Sequence, residues 1–404
     1  MKFVLAPNLE GYNDKNMLLS LARAIEKKGH SAKVLQSPIS PNPFIHDSSR
    51  FFKKQKELHA EINKIDVLLQ INRERPDWLN KNCIHLSWFQ DVAPIDGYSV
   101  RSNVSEKSLE YFFRPPRERI CQESAGRPLR YLFGGFSDKK QNPQLVKDID
   151  VNLVGYFSEL FSFYQDSIAT DKNTYVTLLK EVVRKPKIIF SYFLNQPLQN
   201  FNKLYGTRLF CKCLEIVKTD YKPLCGAVSD GNLLNMPYIK KQILNYLYVE
   251  YPRYADRSIL FEKVNNISEK YKCVVAGPNW KKAYPKSPFI IDGFVSDKEI
   301  FSKSNITIHN NSHGLGLHQR VFDAIDEGSF VLMHSSPRHP GCLENALEPN
   351  VHFGLYNADN LTDTIEYWLS NPKKRINGVI EARKIFASDH SWDKRAEQIL
   401  DDLS

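Results

Sequence analysis

Apolar positions along this chain follow two alternating rhythms. A short aliphatic or β-branched run gives way to a stretch with apolar residues at helical spacing, and the pair then repeats. Lys2–Ala6 reads as the first strand, and Asn8-Leu9-Glu10-Gly11-Tyr12-Asn13-Asp14 as a loop ending in good N-cap residues. Leu18, Leu21, Ala22 and Ile25 then form a helical stripe closed by Gly29. A strand near Ala32–Leu35, a helix near Ser49–Asn63 and strands at Asp66–Ile71 and Cys83–Phe89 follow. Repeated βα units of this size predict a parallel, doubly wound sheet, which binds ligands at the carboxyl ends of its strands. The Gly11 loop and Gln90-Asp91 occupy such ends.

Arg114–Lys147 breaks the rhythm with polar, Pro- and Gly-rich sequence, and the domain link is expected in its later part. Val151–Gly155 opens a second unit. From about 160 to 250 there is no clean β alternation, and stretches such as Thr174–Arg184 and Tyr238–Val249 predict a helical insertion. The βα rhythm returns with a helix at Arg257–Lys270, strands at Cys273–Ala276 and Phe289–Ile291, and a helix at Asp297–Lys303. Helices near Asn360–Leu369, Lys373–Phe386 and Trp392–Leu403 finish the chain. The pattern therefore predicts an α/β protein of two Rossmann-like, doubly wound domains facing a cleft: residues 1–147, then 148–390 with the insertion, then a final helix over 391–404.

The stretch Asn305–Leu332 carries the most chemistry. It reads as a strand (Asn305–His309), a loop with two glycines (His313-Gly314-Leu315-Gly316), a helix (His318–Glu327, stopped by Gly328) and a buried strand (Phe330–Leu332). A glycine loop opening onto a helix N-terminus lets backbone N–H groups approach an anion, which the helix dipole also favours. Arg320 in the first turn is suited to a bidentate phosphate contact, and Asp323 one turn on is suited to two sugar hydroxyls. Phosphate and ribose readers this close point to a nucleotide-diphosphate ligand. The competing reading makes Arg320 and Asp323 an ordinary i,i+3 surface pair after a common Gly-x-Gly turn.

Composition narrows the classes. A chain of 404 residues with 42% hydrophobic content supports about two domains with real cores, and 24 Phe and 19 Tyr argue against disorder. The apolar run at Met1–Pro7 is too short for a signal peptide, and no stretch approaches the roughly 18 apolar residues of a membrane span. A cytoplasmic protein is expected, with peripheral membrane contact left open. Seven cysteines imply no disulfide framework, and Cys211, Cys213 and Cys225 lack a fourth ligand at zinc-site spacing, so no metal site is expected. A net charge of +9, spread over short pairs such as Lys27-Lys28 and Lys373-Lys374, favours anionic small molecules over a dedicated nucleic-acid groove.

In the order and spacing of its blocks, the second half resembles the GT-B fold glycosyltransferases, specifically the CgeB-like branch of the group 1 type. The blocks are DRSILFEKV from Asp256, CVVAGPNW from Cys273, FIIDGFVSDKEIFSKSNITIHNN from Phe289, HGLGLHQRVFDAIDEGSFVL from His313 and LEPNVHFGLYNADNLTDTIEYWLSNPKKR from Leu347. Upstream the likeness rests on DVNLVGYFS at Asp150–Ser158 and HLSWFQD at His85–Asp91. The resemblance implies a nucleotide-diphosphate sugar donor, with Asp323 on the ribose, Gly314, Leu315 and Gly316 facing the diphosphate, and Phe294 and Val295 at the base. Trp280 near that edge either stacks on the ligand or serves as a core tryptophan. Many group 1 enzymes carry a glutamate before the Gly-x-Gly turn. Here His313 takes that place with a longer spacer to Asp323, which leaves open both its role and the stereochemical course.

A GT-B arrangement sets Gly11 and Tyr12 opposite the donor across the cleft. Asp91 is the candidate general base for an inverting transfer, against a plain reading as a turn-forming carboxylate. Arg257 reads more simply as a solvated first-turn arginine than as a second diphosphate contact. Neither metal dependence nor a cofactor is implied. The leading expectation is transfer of a sugar to a glycan, lipid-linked or protein acceptor. Against it stand a non-catalytic nucleotide-sugar-binding scaffold, a basic nucleic-acid binder with steep salt dependence, and a sugar-nucleotide epimerase that needs no acceptor.

Overall fold

The structure, a computed structural model, describes residues 1–8, 12–36, 64–73, 75–76, 79–90, 107–113, 130–138, 147–158, 204–225, 238–293, 295–310, 315–335 and 340–404. Two six-stranded sheets, parallel throughout, organise these residues. The first contains β1 (Lys2–Ala6), β2 (Ser31–Val34), β3 (Val67–Ile71), β4 (Ile84–Phe89), β5 (Ser108–Phe112) and β6 (Arg130–Tyr131) in the order β2-β1-β3-β4-β5-β6. The second contains β7 (Ile149–Val154), β8 (Cys273–Gly277), β9 (Ile290–Asp292), β10 (Ser304–His309), β11 (Phe330–His334) and β12 (Gly354–Tyr356) in the order β12-β11-β10-β7-β8-β9.

The central strands VLLQI, SNITIH and FVLMH are buried at every position, as expected of parallel strands covered on both faces. Three clusters form the main cores. One lies on the first sheet under α1 (Tyr12–Lys27), and the other two cover the two faces of the second sheet. In the second sheet the chain runs outward from β7 through β8 to β9, then returns to β10 on the opposite side of β7. The strand order therefore reverses between β7 and β10, and ligands of open α/β sheets bind in the crevice at such a reversal.

Beyond β7 come α2 (Leu204–Asp220) and α3 (Tyr238–Ile267), then the short α4 (Trp280–Ala283) and α5 (Asp297–Lys303). The sequence predicts two helices where α3 is one, because Pro252 lies inside it. Proline removes one intrahelical hydrogen bond, but burial continues on both sides of it. Leu244, Leu247 and Tyr248 pack against α2, and Leu260, Phe261 and Val264 pack on the second sheet. Arg257 therefore sits inside a long helix and not in a first turn, and it is 5% exposed. Strands β5, β6 and β12 were not foreseen, and the predicted helices at 49–63 and 174–184 lie outside the described residues.

The second sheet is completed by α6 (Gln319–Asp326), α7 (Leu361–Ser370), α8 (Pro372–Asp389) and α9 (Trp392–Leu403). The last helix packs on α1, placing Trp392, Ala396 and Ile399 in the core of the first sheet. Its Asp402 accepts a hydrogen bond from the Tyr111 hydroxyl at 2.8 Å, and Glu397 pairs with Lys28 at 2.5 Å. Among the described residues no helix is long and apolar enough to cross a membrane.

Candidate active site at the strand-order reversal

Two glycines end the strands flanking the reversal on one side. Gly277 has φ 134°, and a Cβ there would lie 2.2 Å from the Gly155 carbonyl oxygen. Gly155 itself has φ 151°, and its Cβ would lie 2.9 Å from Nη2 of Arg257. At Gly277 backbone thus approaches backbone too closely for a side chain, and at Gly155 the positive φ and the Arg257 guanidinium both favour glycine. The Arg257 guanidinium is laid across the end of β7.

Arg257 donates from Nη1 to the Tyr156 carbonyl and lies 4.8 Å from the centroid of the Tyr156 ring. Arg253, one turn earlier on α3, donates to the Tyr156 hydroxyl at 2.6 Å and to Glu250 Oε1 at 2.8 Å. Ser158 donates to the other oxygen of Glu250 at 2.7 Å. Burial pushes the Arg257 guanidinium down to about 10, and the charges of Arg320 and Arg253 act in the same direction. Arg253 has Glu250, and Arg320 has Asp297 at 2.9 Å. Among the described residues Arg257 has no carboxylate within ion-pair distance.

Arg320 lies in the first turn of α6, whose N-cap is His318; Nδ1 of His318 accepts from the Arg320 backbone amide at 3.2 Å. Burial and the neighbouring guanidinium groups of Arg320 and Arg253 hold His318 down to about 3, so the ring stays neutral and keeps its capping acceptor.

Asp323, one turn further along α6, is held through a single oxygen. Lys298 on α5 lies 2.9 Å from its Oδ1, and the Gln319 amide donates to the same Oδ1 at 2.9 Å. Burial raises the Asp323 carboxyl above the ordinary carboxylate range, while Lys298 and Gln319 pull it back. Gln319 also donates to the Gly135 carbonyl and accepts from the Gly135 amide, each at 3.3 Å, tying α6 to the segment that leads out of the first sheet.

The structure revises three expectations. The amides of Gly316 and Leu317 donate to the Gly341 carbonyl at 3.0 and 2.9 Å, so neither is aimed at a phosphate. Gly316 is glycine because a Cβ would lie 2.2 Å from the Leu343 amide nitrogen, and Leu315 is buried in the core of the first sheet. Trp280 is 0% exposed, its indole donates to the Gly155 carbonyl, and it packs among Phe157, Phe261 and Tyr284. It is a core tryptophan with no ring face left for a ligand. Arg257, expected to be solvated, is buried beside Tyr156.

Val295 is half-buried just beyond Gly293, which has φ 95°. Tyr12 is the first residue of α1. Gly11, Asp91, Phe294, His313 and Gly314 lie outside the described residues. Sequence reading missed Tyr156, Arg253, Lys298 and Gln319. The one available signal was the i,i+4 spacing of Arg253 and Arg257, which puts two guanidinium groups on one helix face.

Residues 257–401 match a family model described as glycosyl transferase-like. No curated protein matches the sequence. Among solved structures, the chain is similar to Anabaena Alr3699/HepE in complex with UDP and glucose, with a TM-score of 0.53 at 10% identity over 100% of this chain and 99% of that one. The same protein in complex with UDP-glucose gives 0.53 at 8% identity, again over 100% and 99%. AviGT4, a glycosyltransferase involved in avilamycin A biosynthesis, gives 0.49 at 11% identity over 99% of this chain and 96% of that one. At such identities the likeness is one of fold, and the fold is GT-B.

Proposed function

We propose that this chain is a glycosyltransferase that takes a nucleotide-diphosphate sugar as donor and passes the sugar to a hydroxyl of a glycan, lipid-linked or protein acceptor. The observation that carries the reading is Arg257, a buried guanidinium with no carboxylate at ion-pair distance among the described residues, set at the strand-order reversal beside Arg320 and Arg253. A buried, uncompensated cation is costly unless an anion completes it. A diphosphate does so, and it is also the leaving group whose developing charge such donors stabilise during transfer.

In this reading Arg257 and Arg320 face the diphosphate together with His313 and Gly314 of the preceding loop. Asp323 takes the ribose hydroxyls through Oδ2, the oxygen that Lys298 and Gln319 leave open. The base lies past Gly293, against Phe294 and Val295. In the reaction the bond from the anomeric carbon to the diphosphate breaks and its electron pair leaves with the phosphate. The acceptor oxygen bonds to that carbon and releases its proton. Asp91 is the proposed base for an inverting course, with Gly11 and Tyr12 facing the donor across the cleft.

Thermal unfolding with UDP, GDP, ADP and dTDP tests the reading. A ligand that binds only the folded state stabilises it by about 2.7 kcal/mol at a hundredfold excess over Kd. The expected result is a rise in Tm with one nucleotide that Asp323→Ala and Arg257→Ala both abolish. UDP is tried first, since HepE was solved with it. No rise with any nucleoside diphosphate removes the transferase reading.

A further inference from the structure

Asn310 follows β10 at the strand-order reversal and is 7% exposed. Its side-chain nitrogen donates to Oδ2 of Asp256 at 3.3 Å. Asp256 is 1% exposed and immediately precedes Arg257 on α3. Its Oδ1 accepts from the Tyr221 hydroxyl and, at 2.9 Å, from the Leu224 amide. Leu224 has φ 53°, a left-handed conformation that is strained for a branched residue. That hydrogen bond and the burial of Leu224 at 4% exposure fix the turn that docks the end of α2 onto the second sheet.

A carboxylate can only accept, so of the two ways an amide can lie, Asp256 selects the one with the NH2 group facing it. Oδ1 of Asn310 is thereby turned to the other side, where it is buried without a hydrogen-bond partner among the described residues. One residue beyond Met333, the register partner of His309, stands His334 at the end of β11. It is 0% exposed. Its Nδ1 lies 3.2 Å from the Ser335 carbonyl, which can only accept, so Nδ1 carries a hydrogen and the tautomer this selects leaves Nε2 as an acceptor. Nε2 is also buried without a partner. The ring stands edge-on to Tyr356, 6.0 Å away, and the Tyr356 hydroxyl is committed to the His309 carbonyl at 3.0 Å. The ends of two adjacent strands therefore hold two orphaned acceptors, and buried polar groups in native proteins are rarely left so. Neighbouring hydroxyl groups, each bringing one O–H, match the pair.

We propose that Asn310 and His334 read hydroxyl groups on the sugar half of the donor, and that Asp256 is the positioning residue that aims the Asn310 amide. The proposal rests on the donor-site reading above and adds to it what distinguishes a nucleotide sugar from the nucleotide alone.

The test is a pair of titrations on wild type, Asn310→Ala, His334→Phe and Asp256→Asn. One uses UDP. The other uses whichever of UDP-glucose, UDP-galactose and UDP-N-acetylglucosamine the wild type binds most tightly. Each variant is expected to keep the wild-type Kd for UDP within twofold while losing at least fivefold for the sugar nucleotide. Unchanged UDP affinity also certifies that the variant is folded, and Tyr221→Phe, which weakens the hold on Asp256 without touching Asn310, should show a smaller loss of the same kind. Equal losses for both ligands, or no loss for either, overturn the proposal. Failure of the wild type to bind any of these ligands overturns the donor-site reading itself, and this proposal with it.

Discussion

Lys298 and Asp323 meet at 2.9 Å through Nζ and Oδ1, which holds the carboxylate by one oxygen. Burial favours the protonated carboxyl, and Lys298 is the largest influence opposing it. Lys298→Met removes that opposition, so Asp323 takes up its proton at a higher pH. If Asp323 accepts ribose hydroxyls, nucleotide affinity in Lys298→Met should fall away on acidification at a higher pH than in the wild type. UDP titrations between pH 4.5 and 7.5 read the displacement directly. Superimposable profiles would remove Asp323 from the ribose site.

Arg257 should trade stability for binding. An uncompensated buried cation gives little to the fold, and an apolar side chain of similar length is often neutral or stabilising in such a place. Arg257→Met is expected to unfold at the wild-type denaturant concentration or a higher one, while its UDP affinity drops tenfold or more. A variant that loses stability and keeps affinity would assign Arg257 to holding Tyr156 and not to an anion.

How far the sequence could be read follows from how far apart the interacting residues lie. Lys2–Ala6, Asp297–Lys303 and Trp392–Leu403 coincide with their predicted boundaries, because local periodicity and caps define them. The burial of Arg257 is not legible locally, because its environment is built by Tyr156, about a hundred residues away just past β7. Gly316 shows the converse. A Gly-x-Gly turn before a helix looks like a phosphate loop, yet this glycine answers to Leu343 and its amide to Gly341. The place of Asp323 on α6 is legible from the spacing, but Lys298 and Gln319, which both hold its Oδ1, are not, because Lys298 comes from a separate helix.

Gly135 sits against the last helix with no room for a side chain. A Cβ there would lie 2.3 Å from the Trp392 indole, and the Gly135 backbone also carries both hydrogen bonds to Gln319. Forcing extra volume into such packing costs about 1–3 kcal/mol. Gly135→Ala should lower the urea midpoint by an amount in that range. Trp392→Phe in the same background should recover part of it by relieving the contact. No recovery would place the defect in the backbone at Gly135 and not in the contact with Trp392.

Acid should destabilise the protein through its buried imidazoles. His85 is 0% exposed between Gln70 at 2.8 Å and Ser87 at 3.3 Å. Burial, followed by the charge of Arg75, holds it down to about 3, against about 6.5 in an unfolded chain. Between those values the unfolded state binds a proton that the folded state refuses. Stability is therefore complete above about pH 6.5 and is lost as the pH falls, by about 1.4 kcal/mol per pH unit for one such group, or about 2 kcal/mol at pH 5. His318, held down to about 3, and His390, held down to about 4, act in the same direction. Burial also holds His309 well below the ordinary imidazole range, so the unfolding free energy from urea titrations at pH 6.5, 5.75 and 5 should fall with a slope of up to four protons in the wild type. His85→Gln, which keeps a polar group between Gln70 and Ser87, should reduce that slope by one. An unchanged slope in the variant would mean that His85 protonates in the folded state, and that the buried Gln70–His85–Ser87 row opens to water before the protein unfolds.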